Sequence, residues 1–384
     1  MAKVTLICGA IRTGKSAEII RQFSLCAGSP GRDALLILPT ANQVEETRIT
    51  ITSIERQVLW RPRILTFPEL ATEILDSAGH TAPLISTVCE RALMRLVLQR
   101  LGDWLVYFAP VSRYPGFVDS LCDFIGELKR AGVEPPEFEA RLEAADAYDT
   151  RARELARIYN NYQSLLHAAD LYDIEGRFWM AREIMQSRES FKYPDHFFVD
   201  GFENFTTTQL DMIQTIAARA RQTTITLTYD ETDPRKKLFE ATRRTFSQIQ
   251  ARFEQSELEH RPVENRPDVL NHLSRQLFHD RPKQAVPTEQ IQLIETPGRR
   301  REIETVARRI KKRLIQGESP ESIGVLFRSL SDYGDIVREV FAQAGIPVRA
   351  GQWMTADTQT VCQLSCACLE LFRKISGSVK SFSF

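Results

Sequence analysis

The sequence predicts an α/β fold built on a parallel β-sheet, and three observations predict it. Residues 9–16 read Gly-Ala-Ile-Arg-Thr-Gly-Lys-Ser, which is a complete G-x-x-x-x-G-K-[ST] phosphate loop. Short apolar runs alternate with helix-forming segments on both sides of a long interruption. That interruption, residues 85–190, shows helical patterns only. The alternation implies parallel strands covered by helices, because parallel neighbours need a crossover connection.

The phosphate loop lies between a predicted strand at residues 3–7 and a predicted helix that begins at Ser16. Its glycines let backbone N–H groups point at phosphate oxygens, Lys15 supplies positive charge, and the Ser16 hydroxyl can ligate Mg²⁺. The alternative is a chance match on a glycine-containing turn. We expect ATP and Mg²⁺ here, bound by Gly9, Ala10, Ile11, Arg12, Thr13, Gly14, Lys15 and Ser16.

Two further strand–helix pairs follow the loop. Strands are predicted at residues 34–39 and 63–67, and helices at 42–57 and from Pro68 to about residue 77. Proline fits the first turn of a helix, because its missing N–H has no partner there anyway. These pairs continue the parallel-sheet pattern.

The interrupting block is predicted to be all-helical. A Thr87-x-x-Glu90 pair resembles a capping box and opens the first helix. The predicted helices span residues 87–101, 117–130, 151–166 and 174–185. The block is therefore interpreted as an insertion within an α/β domain.

The α/β pattern resumes with a strand at residues 196–200, a helix at 207–219 and a strand at 223–228. The first strand ends at Asp200, which we expect to hold the Mg²⁺ shell beside the phosphate loop. The alternative is a carboxylate that caps the next turn.

Gly201 stands where many hydrolysing enzymes of this kind place a glutamate that activates water. Glycine can do no acid–base chemistry, and the next carboxylate along the chain is Glu203, two positions on. We assign no catalytic base, and Glu203 remains a candidate. ATP hydrolysis is therefore expected to be weak or absent.

Residues 256–290 are polar and proline-rich, which indicates a linker with one short helix. A second, incomplete α/β domain is predicted at 291–384. Its predicted strands are 292–295, 323–327 and 346–349, and its predicted helices are 301–314, 333–344 and 358–374.

The predicted domains are the phosphate-loop domain (1–84 and 191–255), the helical insertion (85–190), the linker (256–290) and the second domain (291–384). The last ten residues show no periodicity, and a truncated or frameshifted product is one interpretation.

Bulk composition excludes several classes of protein. The chain carries 50 basic and 50 acidic side chains, so any nucleic-acid contact must come from a local patch. No apolar run reaches the roughly 20 residues of a membrane helix, and no signal peptide precedes the first strand. Seven irregularly spaced cysteines indicate a reducing cytoplasm. We interpret Cys362, Cys366 and Cys368 as small apolar residues rather than metal ligands, since no fourth ligand accompanies them.

One segment is locally basic. Residues 299–301 are three arginines, and residues 308–313 contain five cations. The patch is either a track for a phosphate backbone or a solvated helix face balanced by Glu302 and Glu304.

The order of these segments resembles the UvrD/Rep-like superfamily 1 helicases, in which a RecA-like domain 1A carries an inserted domain 1B and precedes domain 2A. Residues 322–329 read Ser-Ile-Gly-Val-Leu-Phe-Arg-Ser and resemble the helicase motif IV. The resemblance implies that Arg328 reaches the γ-phosphate, which makes it a second candidate catalytic residue.

Within that superfamily the chain is most similar to AddB-like subunits of ATP-dependent helicase/deoxyribonucleases, relatives of the RecB/RecC machinery. The phosphate loop carries this resemblance together with Leu-Thr-Phe-Pro-Glu-Leu-Ala at 65–71, Phe-Val-Asp-Gly-Phe-Glu-Asn-Phe-Thr at 198–206 and Ile-Thr-Leu-Thr-Tyr-Asp at 225–230. It implies a subunit of a complex for double-strand-break repair that binds DNA and a motor partner of AddA type. The nuclease domain of such subunits has no counterpart in this chain.

Two alternatives stay open at this point. Glu203 or another carboxylate could replace the missing base, which would make the protein an active DNA-dependent ATPase or helicase. A phosphate-loop kinase acting on a small molecule is the other class, although a compact kinase has little use for the helical insertion and the second α/β unit.

Overall fold

The structure is a computed structural model. It describes residues 3–28, 33–54, 62–187, 191–253, 256–261, 269–279, 282–283, 290–329 and 332–348. The chain forms two compact units, one reaching to Asn265 and the other beginning at Arg266. The three clustered cysteines and the helix predicted at 358–374 lie outside the described residues.

The first unit is built on one six-stranded sheet whose strands all run parallel. The strands are β1 (Lys3–Gly9), β2 (Ala34–Ile37), β3 (Arg63–Leu65), β4 (His196–Val199), β5 (Gln222–Thr228) and β6 (Glu257–His260). Their order across the sheet is β3-β2-β4-β5-β1-β6. This arrangement confirms the predicted α/β class with a RecA-like parallel sheet.

Ten α-helices accompany the sheet in the described part of this unit. They are α1 (Lys15–Ala27), α2 (Ala41–Ile54), α3 (Phe67–Ser77), α4 (Thr87–Leu101), α5 (Pro115–Arg130), α6 (Pro135–Ala144), α7 (Thr150–Ala168), α8 (Ile174–Ser187), α9 (Thr207–Ala217) and α10 (Glu240–Arg252). The helices predicted from the sequence are confirmed within a few residues, except that residues 55–57 lie outside the described part. Helices α6 and α10 were not predicted. Helix α6 buries little beyond Pro135, so it leaves no apolar period to detect.

The helix caps explain where two of these helices begin. Thr66 caps α3 through a capping box with Glu69, and proline occupies the first turn as expected. The capping box predicted at Thr87 is wrong, because the cap is Ser86, whose hydroxyl accepts the N–H of Cys89. Helix α4 nevertheless starts at Thr87.

Separate apolar clusters organise the unit. One face of the sheet packs on α3, α8, α9 and α10, and the other face packs on α1 and α2. Helices α4, α5 and α7 enclose a cluster of their own that includes Leu93, Leu121 and Tyr162. Between residues 85 and 187 no strand forms, apart from an isolated bridge between Leu84 and Tyr172. Helix α8 contributes Phe178 and Ile184 to the cluster under the sheet.

An ion pair ties α5 to the turn before α8. The ammonium of Lys129, with no exposed side-chain surface, donates to both oxygens of Asp173 at 2.6 and 2.7 Å and to Gln163 at 3.0 Å. Asp173 also accepts the N–H of Gly176 in the first turn of α8. The pair is satisfied by hydrogen bonds, as a buried charge must be.

Strand β6 lies inside the segment that the sequence predicted as a linker. All four of its residues are exposed, yet it pairs with β1 along the edge of the sheet. Pairing with β1 satisfies its backbone without an apolar face, which is why no strand pattern is visible in the sequence.

The second unit contains α11 (Val269–Gln276), α12 (Arg299–Ile315) and α13 (Gly334–Gln343). Helices α12 and α13 pack around Ile303, Ile310 and Phe341. The strands predicted at 292–295, 323–327 and 346–349 are wrong in their described parts, which form no strand ladder. Leu293 and Leu326 are almost fully exposed there. Strands need a neighbour for their N–H and C=O groups, and the described residues of this unit offer none.

Candidate nucleotide-binding site

Four chain segments converge at the carboxyl edge of the sheet. The phosphate loop follows β1, Asp200 follows β4, Asp230 follows β5 and Arg261 follows β6. Because β5 lies between β4 and β1, and β6 borders β1, these segments are neighbours in space. Ligands of open parallel sheets bind at this edge.

Two glycines shape the backbone of the phosphate loop. Gly14 has φ 77° and ψ 13°, a left-handed conformation, directly before α1. A Cβ atom on Gly9 would stand 2.5 Å from the carbonyl oxygen of Arg261, so no larger residue fits there. Within the described part of the chain no side chain caps α1, so its first-turn N–H groups are available to an anion.

Lys15 is the central charge of the loop. Its side chain is buried, and its ammonium donates to the carbonyls of Gly9 at 2.9 Å and Ala10 at 2.7 Å, and to the hydroxyl of Thr13 at 3.3 Å. Burial lowers the pKa of Lys15, and the charge of Asp200 opposes that shift. Lys15 and Asp200 are therefore brought together as the sequence predicted.

The remaining residues of the phosphate loop differ in their exposure to solvent. Ala10 is buried and Thr13 is half-buried, with its hydroxyl bonded to the carbonyl of Ala10 at 3.0 Å. Ile11, Arg12 and Ser16 are exposed at the mouth of the loop. The Ser16 hydroxyl is thus accessible to a cation beside the first turn of α1.

Asp200 is held in place from the neighbouring strand. Its carboxylate is buried and accepts a hydrogen bond from the hydroxyl of Thr226 on β5. Its own N–H donates to the carbonyl of Ile37 on β2 at 3.1 Å. These two contacts fix the carboxylate at the end of β4, where a carboxylate oxygen suits Mg²⁺.

The backbone conformation and the close neighbours of Gly201 also favour glycine at this position. Its φ is 84°, and a Cβ atom there would lie 3.3 Å from Cδ of Pro39 and 3.4 Å from the side chain of Gln43. A side chain at this position would be strained by the left-handed backbone and crowded by its neighbours. The position after Asp200 is built for glycine.

Glu203 does not join the site through any contact among the described residues. Its side chain is exposed, and its carbonyl accepts the hydroxyl of Thr245 on α10 at 2.8 Å. Phe202, which precedes it, packs on Phe67 and Phe205. Arg328 belongs to the second unit, where its side chain is exposed.

Arg261 was not predicted from the sequence. Its N–H donates to the carbonyl of Cys8 at 2.7 Å, which continues the pairing of β6 with β1. Its guanidinium lies 3.5 Å from the carbonyl of Gly14, 3.7 Å from Glu18 and 2.9 Å from Glu259. A positive charge thus stands directly beside the phosphate loop.

Asp230 and His260 form a second polar contact at this edge. Asp230 accepts hydrogen bonds from Thr232 and from the His260 ring at 3.2 Å. Burial acts to raise the pKa of Asp230, but the Thr232 and His260 hydrogen bonds outweigh it and lower the pKa. Asp230 thus carries a stable negative charge at the end of β5.

The arrangement can bind an anion with a coordinated cation. The loop amides and Lys15 suit phosphate oxygens, and the Ser16 hydroxyl with the Asp200 carboxylate offers the hard oxygen ligands that Mg²⁺ prefers. No group of three or more His, Cys, Asp or Glu side chains is placed to hold a metal among the described residues. A cation here would depend on phosphate oxygens to complete its shell.

Comparison with known proteins matches this chain to one family model. Residues 6–280 match the model described as ADDB, N-terminal. A protein of Thermoanaerobacter sp. (strain X514), named as the B-type subunit of an ATP-dependent helicase/deoxyribonuclease, is 25% identical over 364 residues, which cover 90% of this chain and 31% of the relative. Proteins with the same name from Symbiobacterium thermophilum and Bacillus cereus (strain B4264) are 26% and 27% identical, over 95% and 89% of this chain and 34% and 31% of their own lengths.

The chain thus spans about a third of the length of these curated relatives. Within the described part of the chain, no helix combines the length and the apolarity that a membrane crossing requires.

Proposed function

Because this chain belongs to the AddB N-terminal family, we propose that it forms the ATP- and Mg²⁺-binding end of the AddB-type subunit of a helicase–nuclease complex. The complex acts on DNA in double-strand-break repair and recombination. Its motor and nuclease partner is a subunit of AddA type. The relatives' shared name, which describes a subunit of an ATP-dependent helicase/deoxyribonuclease, supports this proposal.

The observation that carries the nucleotide site is the meeting of Lys15 and Asp200 at one edge of the sheet. Lys15 is buried beneath the loop carbonyls, so its charge is desolvated and acts strongly on a nearby phosphate. The uncapped first turn of α1 adds N–H donors on the same side. These groups match the β- and γ-phosphates of ATP.

Ser16 and Asp200 would hold Mg²⁺. When bound, the ion neutralises charge on the phosphate oxygens. The Thr226 hydroxyl orients the Asp200 carboxylate toward that position from the neighbouring strand.

We infer that this subunit binds ATP without efficient turnover. Gly201 brings no carboxylate, and Glu203 is exposed with its backbone bonded to α10. Loss of a positioned general base costs about 10²–10⁴ in rate. ATP then serves as a bound effector of the complex, while the partner subunit supplies the motor.

Arg261 is proposed as an additional phosphate ligand. Its guanidinium lies 3.5 Å from the Gly14 carbonyl, within side-chain reach of a phosphate in the loop. Guanidinium groups suit phosphate because they offer several N–H donors in one plane.

The domain assignment made from the sequence is retained as part of the proposal. The phosphate-loop domain corresponds to 1A, the helical insertion to 1B and the residues from 291 onward to part of 2A. Arg328, in that last part, is retained as a candidate γ-phosphate contact.

The test is equilibrium binding of a fluorescent ATP analogue with Mg²⁺ to the full chain and to Lys15→Ala, Asp200→Ala and Arg261→Gln. Lys15→Ala should abolish binding of the ATP analogue. Asp200→Ala should abolish the Mg²⁺ dependence of that binding, and Arg261→Gln should lower the affinity for the analogue about tenfold. Lys192→Ala removes a lysine that is 84% exposed and should bind like the parent. Absence of binding by the folded parent would reject the nucleotide site.

ATP turnover measured with and without DNA separates the proposal from an active ATPase. Turnover should stay near background in both conditions. Strong DNA-stimulated hydrolysis that disappears in Lys15→Ala and Glu203→Gln would instead establish Glu203 as a replacement base.

A further inference from the structure

Helix α12 in the second unit concentrates positive charge on its solvent side. Its 17 residues contain eight arginines and lysines and two glutamates. Ile303, Ala307 and Ile310 form its buried stripe and pack against α13. The charges therefore occupy the rest of the helix surface.

The first turn of this helix is neutralised by carboxylates. Arg299 pairs with Asp332 at 3.4 Å, Arg300 with Glu339 at 2.7 Å, and Arg301 with Glu304 at 3.2 Å. Glu302 accepts the hydroxyl of Tyr333 at 3.1 Å. The solvated, balanced face that the sequence left open as an alternative is found in this turn.

Four cations further along the helix have no such partner among the described residues. Lys311 is one of them, and its ammonium lies beside Gly345 after α13. Arg308, Arg309 and Lys312 are the other three. No described carboxylate lies within 4 Å of the cationic nitrogens of Arg308, Arg309 or Lys312, and all three side chains are exposed. Arg308 donates to the hydroxyl of Thr305 at 3.1 Å, and Arg309 donates to the neutral amide of Gln292 at 2.6 Å. Their charges remain uncompensated by the described part of the chain.

The spacing of these cations is regular. At 3.6 residues per turn, Arg308 and Lys312 lie one turn apart on the face opposite the buried stripe, with Arg309 beside them. One turn separates them by about 6 Å along the axis. Neighbouring phosphates of one strand of a duplex are offset by about 3.4 Å along the duplex axis, and their separation in space is larger. The two long side chains can therefore contact neighbouring phosphates.

We propose that Arg308, Arg309 and Lys312 form a docking surface for the sugar–phosphate backbone of nucleic acid. The inference rests on the DNA partner of the proposed function and locates a contact for it in the second unit. The apolar stripe of α12 is already buried, so the helix offers no apolar face to a membrane. Nor does the three-residue surface contain an aromatic anchor of the kind that dominates protein interfaces.

The docking surface should be sequence-independent and sensitive to salt. Contacts to phosphate carry no base information, and each one releases counterions. Binding through these three cations therefore predicts a decrease in affinity as ionic strength rises, with equal affinity for oligonucleotides of different sequence.

The test uses the full chain, a fluorescein-labelled oligothymidylate and a salt titration. The variant Arg308→Gln/Arg309→Gln/Lys312→Gln should lower affinity at least about tenfold and reduce the salt slope by about two, at about 0.7 for each phosphate contact on a single strand. The matched control Arg299→Gln/Arg300→Gln/Arg301→Gln changes the same helix by the same charge. Because those arginines are paired, it should lower affinity no more than about twofold.

The outcomes separate this inference from the proposed function. Equal losses in the two triple variants, or no loss in either, would overturn the docking surface while leaving DNA as a partner. Absence of oligonucleotide binding by the parent at low salt would overturn both. Loss of binding to phosphatidylserine vesicles, with oligonucleotide binding retained, would overturn the assignment to nucleic acid. Far-ultraviolet circular dichroism of the same variants, whose substitutions lie in the second unit, should match that of the parent and shows that they are folded.

Discussion

The hydroxyl of Thr226 donates a hydrogen bond to the carboxylate of Asp200, across the boundary between β5 and β4. Both side chains are buried at the carboxyl edge of the sheet. The carboxylate that is proposed to hold Mg²⁺ is therefore oriented by a side chain of the neighbouring strand. The contribution of the Thr226 hydroxyl on β5 to Mg²⁺ binding can therefore be tested by substitution.

Thr226→Val should weaken Mg²⁺-dependent nucleotide binding about tenfold, because hydrogen bonds to charged groups contribute about 1.5–3 kcal/mol. Binding without Mg²⁺ should change little. The matched control is Thr224→Val on the same strand, whose buried hydroxyl finds no hydrogen-bond partner among the residues that the structure describes. That control should bind like the parent. A loss of affinity equal in both variants, measured by titration, would assign the effect to packing of β5.

Gly201→Glu should not create an ATPase. The left-handed backbone penalises any Cβ there by about 1–2 kcal/mol, and Pro39 stands 3.3 Å from the new atom. We expect a lower melting temperature and unchanged turnover. Gly116→Glu, on a helix with open space around the new Cβ, should melt close to the parent. Turnover that rises in Gly201→Glu would mean that a missing carboxylate alone limits hydrolysis.

Lys129→Met should destabilise the first unit by about 3–5 kcal/mol, because it leaves the charge of Asp173 buried without its partner. Urea unfolding measures the change. Adding Asp173→Asn removes that charge and should recover part of the loss. A double variant less stable than Lys129→Met would contradict this account, since the hydrogen bonds of Asp173 to α8 would then outweigh its charge.

Glu18 should stabilise the protein in a pH-dependent way. The hydrogen bond from Arg21 lowers the pKa of Glu18 from 4.5 to about 2, so the folded state favours the ionised carboxylate. This contribution is complete above pH 4.5 and is lost as the pH falls toward about 2. Glu18→Gln should cost about 0.5 kcal/mol at neutral pH and progressively less in acid.

The control for this prediction is Arg21→Gln, which removes the same hydrogen bond from the other side. The double variant should lose no more stability than either single variant, because the two changes remove one interaction. Thermal unfolding of the parent and of the three variants across the pH range measures these losses of stability. If the loss of stability in Glu18→Gln does not become smaller between pH 4.5 and 2, Glu18 stabilises the protein through packing.

The sequence predicts those parts of the molecule whose signal is local. The phosphate loop and Asp200 each follow a short apolar strand, so their meeting at one edge of a parallel sheet could be inferred from strand polarity alone. The capping threonine of α3 and its glutamate are likewise three residues apart. Each of these features is recognisable within a few residues of chain.

The features that escaped prediction depend on distant partners. Strand β6 has four exposed residues and forms only because β1 offers an edge, so Arg261 could not be placed beside Gly14 from its own neighbourhood. The absence of a carboxylate at Gly201 is visible in the sequence, but its left-handed backbone follows from packing on Pro39. The apolar residues near Leu293 and Leu326 looked like strands because hydrophobicity does not reveal whether a neighbouring strand exists.

The order of the strands in the sheet also determines when each strand can pair during translation. Strand β1 emerges from the ribosome before the other five strands of the sheet, yet both of its neighbours, β5 and β6, come more than two hundred residues later. At about 5–20 residues per second, β1 waits about 10–40 s for a partner. The helical block is made in that interval and relies on contacts among its own helices, which form quickly. We therefore expect the phosphate loop of the nascent chain to stay unformed until synthesis has passed Thr228. A product released by a ribosome that stalls earlier should contain folded helices and lack the proposed nucleotide site.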